Sequence, residues 1–367
     1  MSSEVPAQIL AACASPSLGA PVVKEIAFNG TAHQSSHVVV RNTAVGLNPT
    51  DYKHARGDWS SRRAVVLGSE SVGIAVRVPT EVEHIKQGDR VAGLIYGAAD
   101  ETNGAAAQAT LYDGAHVWPV PAGMSDEEAA GFSLAHFTAV QTLYLRWNLL
   151  KPSQRDPSVA NHTILVWGAS TAVGHHAVQL LSQSGYRVIA VASTARHEAI
   201  LRLGAVACFD YKDGDVVDKI RRAAGDNGIR AAYDTAASNG STDLCIDAIG
   251  PQGGKVMSTL PPSEDSIKRR SDVAVEFCLV YTLMGYKFTF ANAFDFPAQP
   301  EDRARASQWI LNELPMLLDG WKQGAGSPRY KPQQVRVVGK DLDGIELGIE
   351  ILRSGSYQAE KLVCRIV

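Results

Sequence analysis

TILVWGASTAVGHHAVQLLSQSG (163–185) decides the fold. Thr163 to Trp167 is an apolar, β-branched run that reads as a buried strand. Gly168 breaks the run. AVGHHAVQLLSQ then carries apolar residues at helical spacing to a closing Gly185. A dinucleotide pyrophosphate needs a tight turn, close backbone approach and the positive end of a helix dipole, and a strand–turn–helix with these residues supplies all three. In GASTAVG (168–174), Gly168 and Gly174 suit the turn and the helix–strand packing, and Ser170 and Thr171 add hydroxyl donors. Ala172 and Val173 open the helix. Thr171 and Ala172 stand where glycines are common, so the middle glycine of the usual fingerprint is missing. The adjacent His175 and His176 do not form a metal pair, because neighbouring helical positions point about 100° apart. One is expected outside and one packed.

Downstream the pattern repeats. RVIAVAS (187–193), ACFDY (207–211), IRAAYDTAA (229–237), GKVMSTL (254–260) and VEFCLVYTLMG (275–285) read as further strands. HEAILRLG (197–204), DVVDKIRRAA (215–224) and STDLCIDAIG (241–250) read as the helices between them. Continuous apolar strands with helical crossovers imply an α/β, doubly wound parallel sheet covered on both faces. The second strand discriminates between nicotinamide cofactors. An Asp or Glu at its end binds a free ribose 2′-hydroxyl. Here the end reads Ser193, Thr194, Ala195, Arg196, with no carboxylate to repel a 2′-phosphate and with hydroxyls and a guanidinium to hold one. NADPH is therefore expected.

Upstream the texture is β-rich. HVVVRNTAVGLN (37–48), SVGIAVRVP (71–79) and GDRVAGLI (88–95) are short strands between Gly and Pro punctuation. Ser125 with three following acids starts a helix over SDEEAAGFSLAHFTAVQTLYLRW. KPSQRDPSVAN (151–161) reads as a linker. The tail carries one long helical pattern, RARASQWILNELPMLLDGW, and short strands (QVRVVG, KLVCRIV) that return to complete the first domain. The basic stretch IKRR (267–270) reads as a solvated loop.

The 367 residues are 45% hydrophobic and 20% charged, which excludes disordered and fibrous classes and leaves room for two cores. With 35 basic against 38 acidic residues, no field exists to hold nucleic acid or an anionic membrane. No apolar run approaches the roughly 20 residues of a membrane span, and the N-terminal stretch lacks the pattern of a secretory leader. Cys13, Cys208, Cys245, Cys278 and Cys364 are too widely spaced for a metal clip and read as free thiols of a reducing, cytoplasmic compartment.

GLNPTDYKHARG (46–57), GSESVGIAV (68–76), GDRVAGL (88–94), AAGFSLAHFTAVQTLY (129–144) and GASTAVGHHAVQLL (168–181) resemble the medium-chain dehydrogenase/reductase superfamily over nearly the whole chain. The resemblance implies a GroES-like catalytic domain built from residues 1–155 and 298–367, and a Rossmann domain over 156–297. Zinc members of that superfamily carry an early Cys, a GHE segment and a four-cysteine lobe. The corresponding segments here read Gly46-Leu47-Asn48-Pro49, Gly68-Ser69-Glu70 and YGAADETNGAAAQAT, so the metal donors are missing and no metal site is expected. Without a Lewis acid, a conjugated C=C suits the hydride better than a carbonyl. NPTDYKHARG, LAHFTAVQTLY and AEKLVCRIV are most similar to the trans-acting enoyl reductases of fungal polyketide biosynthesis, which are typically monomers that reduce unsaturated thioesters on a synthase's acyl carrier domain. A quinone or free-enone reductase and a non-catalytic NADPH-binding regulator share the fold.

The resemblance also implies site residues. Thr50, Asp51, Tyr52 and Lys53 match a segment beside the nicotinamide, with Lys53 lining the active site. Thr138 matches a hydroxyl residue facing the reacting double bond, so Lys53 and Thr138 are the catalytic candidates. Thr138, Ala139, Val140, Gln141, Thr142, Leu143, Tyr144 and Leu145 match a substrate channel, and Leu283, Met284, Gly285, Tyr286 and Lys287 a substrate wall. Ser170, Thr171, Ala172 and Val173 match the phosphate loop. Ser193, Thr194, Ala195 and Arg196 match the 2′-phosphate pocket. Tyr211, at the end of the third strand, Thr259 and Leu260, at the end of the fifth, and Gln358 and Ala359 match further cofactor contacts.

Overall fold

A computed structural model describes residues 5–15, 19–28, 36–55, 59, 63–323 and 330–366. The apolar runs of the central region form six parallel strands: β1 (Thr163–Trp167), β2 (Arg187–Val191), β3 (Ala207–Phe209), β4 (Ile229–Asp234), β5 (Gly254–Ser258) and β6 (Val273–Phe277). Their order is β3-β2-β1-β4-β5-β6, all paired in parallel. The order reverses between β1 and β4, and such a reversal opens a crevice at the strands' carboxyl ends. Every residue of β1 is buried. Leu165, Ile189, Val191 and Ala232 pack there with Ile220 and Cys245 from the helices Val216–Ala224 and Ser241–Ala248.

All five downstream strands end earlier than expected: β2 stops at Val191 rather than Ser193, and β4 at Asp234 rather than Ala237. β3 stops at Phe209, so Tyr211 lies two residues beyond it and is half exposed. β5 stops at Ser258, and Thr259 and Leu260 follow it. VEFCLVYTLMG is two elements, the end of β6 and a 3₁₀ turn over Val280–Met284. An apolar run of that length does not distinguish strand from buried helix by periodicity.

Two compact units divide the chain: Met1–Leu134, Tyr281–Pro328 and Pro332–Val367 make one, Ala135–Val280 and Arg329–Lys331 the other. The resemblance implies junctions at 155 and 297, whereas contacts group the chain at 134/135 and 280/281. Side-chain packing explains the difference. Tyr144 donates to the carbonyl of Leu180 (3.2 Å) within the parallel-sheet unit, and His116 bonds the carbonyl of Leu283 (2.8 Å) within the other.

The first unit is built on a seven-stranded sheet ordered Val335–Lys340, Lys361–Arg365, His37–Gly46, Glu70–Arg77, Arg90–Leu94, Val117–Pro119, with Ala109–Asp113 also on His37–Gly46. The C-terminal strand therefore returns antiparallel to the third strand of the chain. The helix start at Ser125 carries a full capping box: Ser125 Oγ accepts from Glu128 N (3.2 Å), and the Glu128 carboxylate accepts from Ser125 N (2.9 Å). The helix is not continuous. It runs Asp126–Ala130 and stops at Gly131, where a Cβ would collide with the Lys361 side chain. It resumes over Ser133–Val140 and widens into a π-helix over Gln141–Arg146, with Trp147 N bonded to Thr142 O (3.0 Å). The tail helix is likewise broken into Pro300–Asn312 and Leu314–Leu317, because Pro315 has no N–H to continue it.

Candidate active site

The phosphate loop is built by two glycines and one threonine. Gly168 leaves β1 with φ +77°, and a Cβ there would lie 2.8 Å from Ala236 N. A Cβ on Gly174 would collide with the Gly168 carbonyl, so the helix Ala172–Gln183 passes close over the turn. Thr171 caps that helix: its Oγ1 accepts from Gly174 N (3.0 Å) and donates to Thr235 Oγ1 (3.0 Å). Thr171 has an extended backbone, φ −67°, which needs no glycine. That explains the missing middle glycine and takes the Thr171 hydroxyl out of service as a phosphate donor. Ser170 makes no hydrogen bond among the described residues, and the first-turn N–H groups of Ala172 and Val173 are left without intrahelical acceptors. This cradle fits a dinucleotide pyrophosphate.

The segment after β2 corrects one expectation. A carboxylate is present there, supplied by Asp210 from beyond β3. One Asp210 oxygen accepts from both Thr194 N (2.9 Å) and Thr194 Oγ1 (2.6 Å), and the other accepts from Lys212 N (2.9 Å). The Thr194 hydroxyl, followed by these backbone donors, holds the Asp210 carboxyl down at about 2. Ser193 and Arg196 are partly exposed, and Thr194 and Ala195 exposed.

In the other unit, Asn48 precedes the short helix Pro49–Ala55, and Asp51 is turned inward. It is buried, and its carboxylate accepts from Asn48 N (2.7 Å). Burial pushes the Asp51 carboxyl up to about 7. Asp51 is thus occupied with the helix start. The Lys53 ammonium lies 4.2 Å from the Trp59 ring centroid and 6.0 Å from that of Tyr52. It makes no ion pair with a described residue, and burial lowers its pKa. Thr50 lies 3.4 Å from the Tyr281 hydroxyl, which bonds Ser69 Oγ (2.8 Å). Arg56 and Gly57, which end the matching segment, lie outside the described residues.

Beneath that helix sits a buried charge pair. Glu70 and Lys361 meet at 2.6 Å with side chains 0% and 4% exposed. Glu70 also accepts from Asn48 Nδ2 (2.8 Å) and Leu134 N (2.7 Å), and Lys361 donates to Asn48 Oδ1.

Thr138 to Leu145 are all buried, across the end of one helix and the π-helix after it. Tyr233 donates to the Thr138 carbonyl (3.2 Å), and Thr142 meets Cys278 Sγ (3.0 Å). Leu283 and Met284 are buried, whereas Tyr286 and Lys287 are exposed. Gln358 is exposed, and Ala359 takes φ +61°. His176 is buried with Nδ1 2.6 Å from the Tyr330 hydroxyl, and the partly exposed His175 bonds the Lys331 carbonyl (3.0 Å). Arg269 and Arg270 are bound to Asp247 and Asp272 of their own unit. All five cysteines are free, and the described residues contain no group of three metal-ligating side chains. No helix among them is long and apolar enough to cross a membrane. Trp59, Asp210 and the Glu70–Lys361 pair escaped the sequence reading, since each acts through contacts that spacing does not encode.

Residues 34–126 match the alcohol dehydrogenase GroES-like domain, and 172–299 match the family described as zinc-binding dehydrogenase. The trans-enoyl reductase caaB of Aspergillus niger is 32% identical over 343 residues, 90% of each chain. The enoyl reductase component lovC of the lovastatin nonaketide synthase of Aspergillus terreus is 32% identical over 339 residues, 90% of this chain and 89% of its own. The chain belongs to this enoyl reductase family of the medium-chain dehydrogenase/reductases. Among solved structures, an alcohol dehydrogenase superfamily protein from Novosphingobium aromaticivorans has a TM-score of 0.75 at 23% identity, covering 98% of this chain and 100% of that one. The CurK enoyl reductase has 0.72 at 18%, covering 99% and 100%. These share the fold. The family's enzymes are oxidoreductases that bind a nicotinamide cofactor.

Proposed function

We propose that the protein is an NADPH-dependent, zinc-independent enoyl reductase, acting in trans as a cytoplasmic monomer on an α,β-unsaturated thioester presented by the acyl carrier domain of a polyketide synthase. The observation that carries this reading is the Lys53 ammonium, half withdrawn from water with no carboxylate among the described residues to neutralise it. Such a cation suits an oxygen that gains negative charge during reaction. The trans-enoyl reductases at about 30% identity over most of the chain support the substrate class.

When bound, the reduced nicotinamide supplies a hydride. Ser170 and the N–H groups of Ala172 and Val173 would hold its pyrophosphate, and Ser193 and Arg196 its 2′-phosphate. In the first unit Lys53 holds the thioester oxygen as charge develops on it, and in the parallel-sheet unit Thr138 is the proposed hydroxyl donor to substrate. In the parallel-sheet unit, Thr138 to Leu145 are the proposed substrate channel and Tyr211, Thr259 and Leu260 proposed cofactor contacts; in the first unit, Leu283 to Lys287 are the proposed substrate wall and Thr50–Lys53, Gln358 and Ala359 proposed cofactor contacts. Ser69 stands where zinc-binding relatives carry an imidazole, and it is committed to Tyr281.

The test is NADPH oxidation with crotonyl thioesters, carrier-bound and free, against diffusible quinones. Preference for the carrier-bound thioester is expected. Faster turnover of quinones identifies a quinone reductase instead, and no turnover with any acceptor identifies a non-catalytic binding protein. Lys53→Ala is expected to remove most turnover while leaving the melting temperature unchanged. Equal loss of both would refute a catalytic Lys53.

A further inference from the structure

Lys53 ends in a four-carbon stem with several rotamers, and no hydrogen bond or ion pair to a described residue fixes its ammonium. What it has is the face of Trp59, 4.2 Å from the ring centroid. Trp59 is itself held by rings on two sides. Phe290 meets it at 5.1 Å with planes at 64°, and His54 at 5.8 Å with planes at 79°. Phe290 also meets His54 at 5.7 Å. Phe290 is 5% exposed and belongs to a two-stranded hairpin in which Phe288 pairs with Phe296, Thr289 with Asp295 and Phe290 with Phe294. That register puts four phenylalanines on one face and a Thr289–Asp295 hydrogen bond (2.6 Å) on the other. The phenylalanine face packs over Tyr96, which lies 5.1 Å from Phe288. The hairpin is therefore anchored through its rings, and Phe290 reaches Trp59 from more than 200 positions away in sequence.

We propose that Trp59 is a positioning residue, holding the Lys53 ammonium through its ring face, and that Phe290 and His54 hold Trp59. An ammonium half out of water loses hydration, and the negative face of an indole offsets part of that loss while fixing the head group in one place. Among the described residues, the rings packed around Lys53 carry no charge. His54 donates from Nδ1 to the Thr50 carbonyl (2.8 Å), its Nε2 has no hydrogen-bond partner among the described residues, and burial brings it down to about 4, so it is neutral. Tyr52 is 6.0 Å away and Tyr96 stays protonated. Asp51 faces the backbone of Asn48.

The proposal rests on the reading that Lys53 meets the substrate oxygen, and the experiment separates the two. Lysines of the full-length protein are reductively ¹³C-methylated, and the Lys53 signal, assigned by its loss in Lys53→Arg, is titrated by NMR. Trp59→Leu keeps apolar bulk but loses the ring face, so the Lys53 midpoint falls by roughly 0.5–1 pH unit. Trp59→Phe restores the wild-type midpoint, and Phe290→Leu gives a smaller fall. For the enoyl thioester, Trp59→Leu lowers kcat roughly tenfold or more and leaves KM nearly unchanged, since misplacement acts on the transition state. A Trp59→Leu midpoint equal to wild type overturns the positioning role, even if Lys53→Ala is inactive. A shifted midpoint supports the positioning, even if turnover of the thioester is unchanged, in which case only the assigned role of Lys53 fails.

Discussion

Asp210 shows how one through-space contact alters a reading made along the chain. The segment Ser193 to Arg196 contains no acid, yet Asp210 takes both donors of Thr194. A 2′-phosphate entering this segment meets a carboxylate that stays ionised down to about pH 2. Asp210→Asn is therefore expected to strengthen NADPH binding roughly five- to tenfold, with little change for NADH, because only the phosphorylated ribose feels the lost charge. Isothermal titration of both dinucleotides against both proteins checks it. A variant that binds NADPH no better would mean that Asp210 swings clear at no cost. The Glu70–Lys361 pair makes an opposite case, where removing a charge is harmful. Lys361→Met leaves the buried Glu70 without its ion-pair partner and is expected to cost about 3–5 kcal/mol in urea unfolding. The double variant with Glu70→Gln should recover part of that loss, a coupling a double-mutant cycle reads directly.

At the level of elements, the cap of the helix Asp126–Ala130 was legible because its chemistry is local. Ser125 and Glu128 are three apart, and both reciprocal bonds form. Ser125→Ala should cost about 1 kcal/mol, read as a fall in the urea midpoint with unchanged slope. The parallel strands were legible for a similar reason, since β1, buried throughout, is apolar from Ile164 to Trp167. What happens after the cap was not. The stop at Gly131 is set by Lys361, more than 200 residues away, and nothing in QTLYLR announces a π-helix. The extra residue per turn re-aims side chains over a stretch proposed to line the substrate, and π segments recur at functional sites. Strand ends were missed by two residues at Tyr211 and Leu260 and by three at Ala237 because a ladder stops where its partner stops, which is a property of two strands and not of one.

Across the whole molecule, neutral histidines wholly or partly withdrawn from water weaken the fold in acid. Burial brings His54 and His175 down to about 4 and His136 down to about 3. In the unfolded chain each takes its proton near 6.5. Between about pH 5 and 6.5 the unfolded state therefore binds up to three more protons at these sites, and stability is present above 6.5 and lost as pH falls. Asp51 works against this: with its carboxyl raised to about 7, the folded state holds one proton there that the unfolded state has released. Across these four groups the net uptake on unfolding is about two protons, each worth about 1.4 kcal/mol per pH unit. Both compact units carry part of it, His54 in one and His136 and His175 in the other. Urea unfolding at pH 5, 5.5, 6, 6.5 and 7.5 should show stability dropping steeply below 6.5 and changing little above 7. His136→Gln, which keeps a polar group toward the Tyr330 hydroxyl now 2.9 Å from Nδ1, should flatten that slope by about one proton. Asp51→Asn should steepen it by about one. A wild-type curve flat from pH 5 to 7.5 would show that these imidazoles are already hydrated in the folded protein.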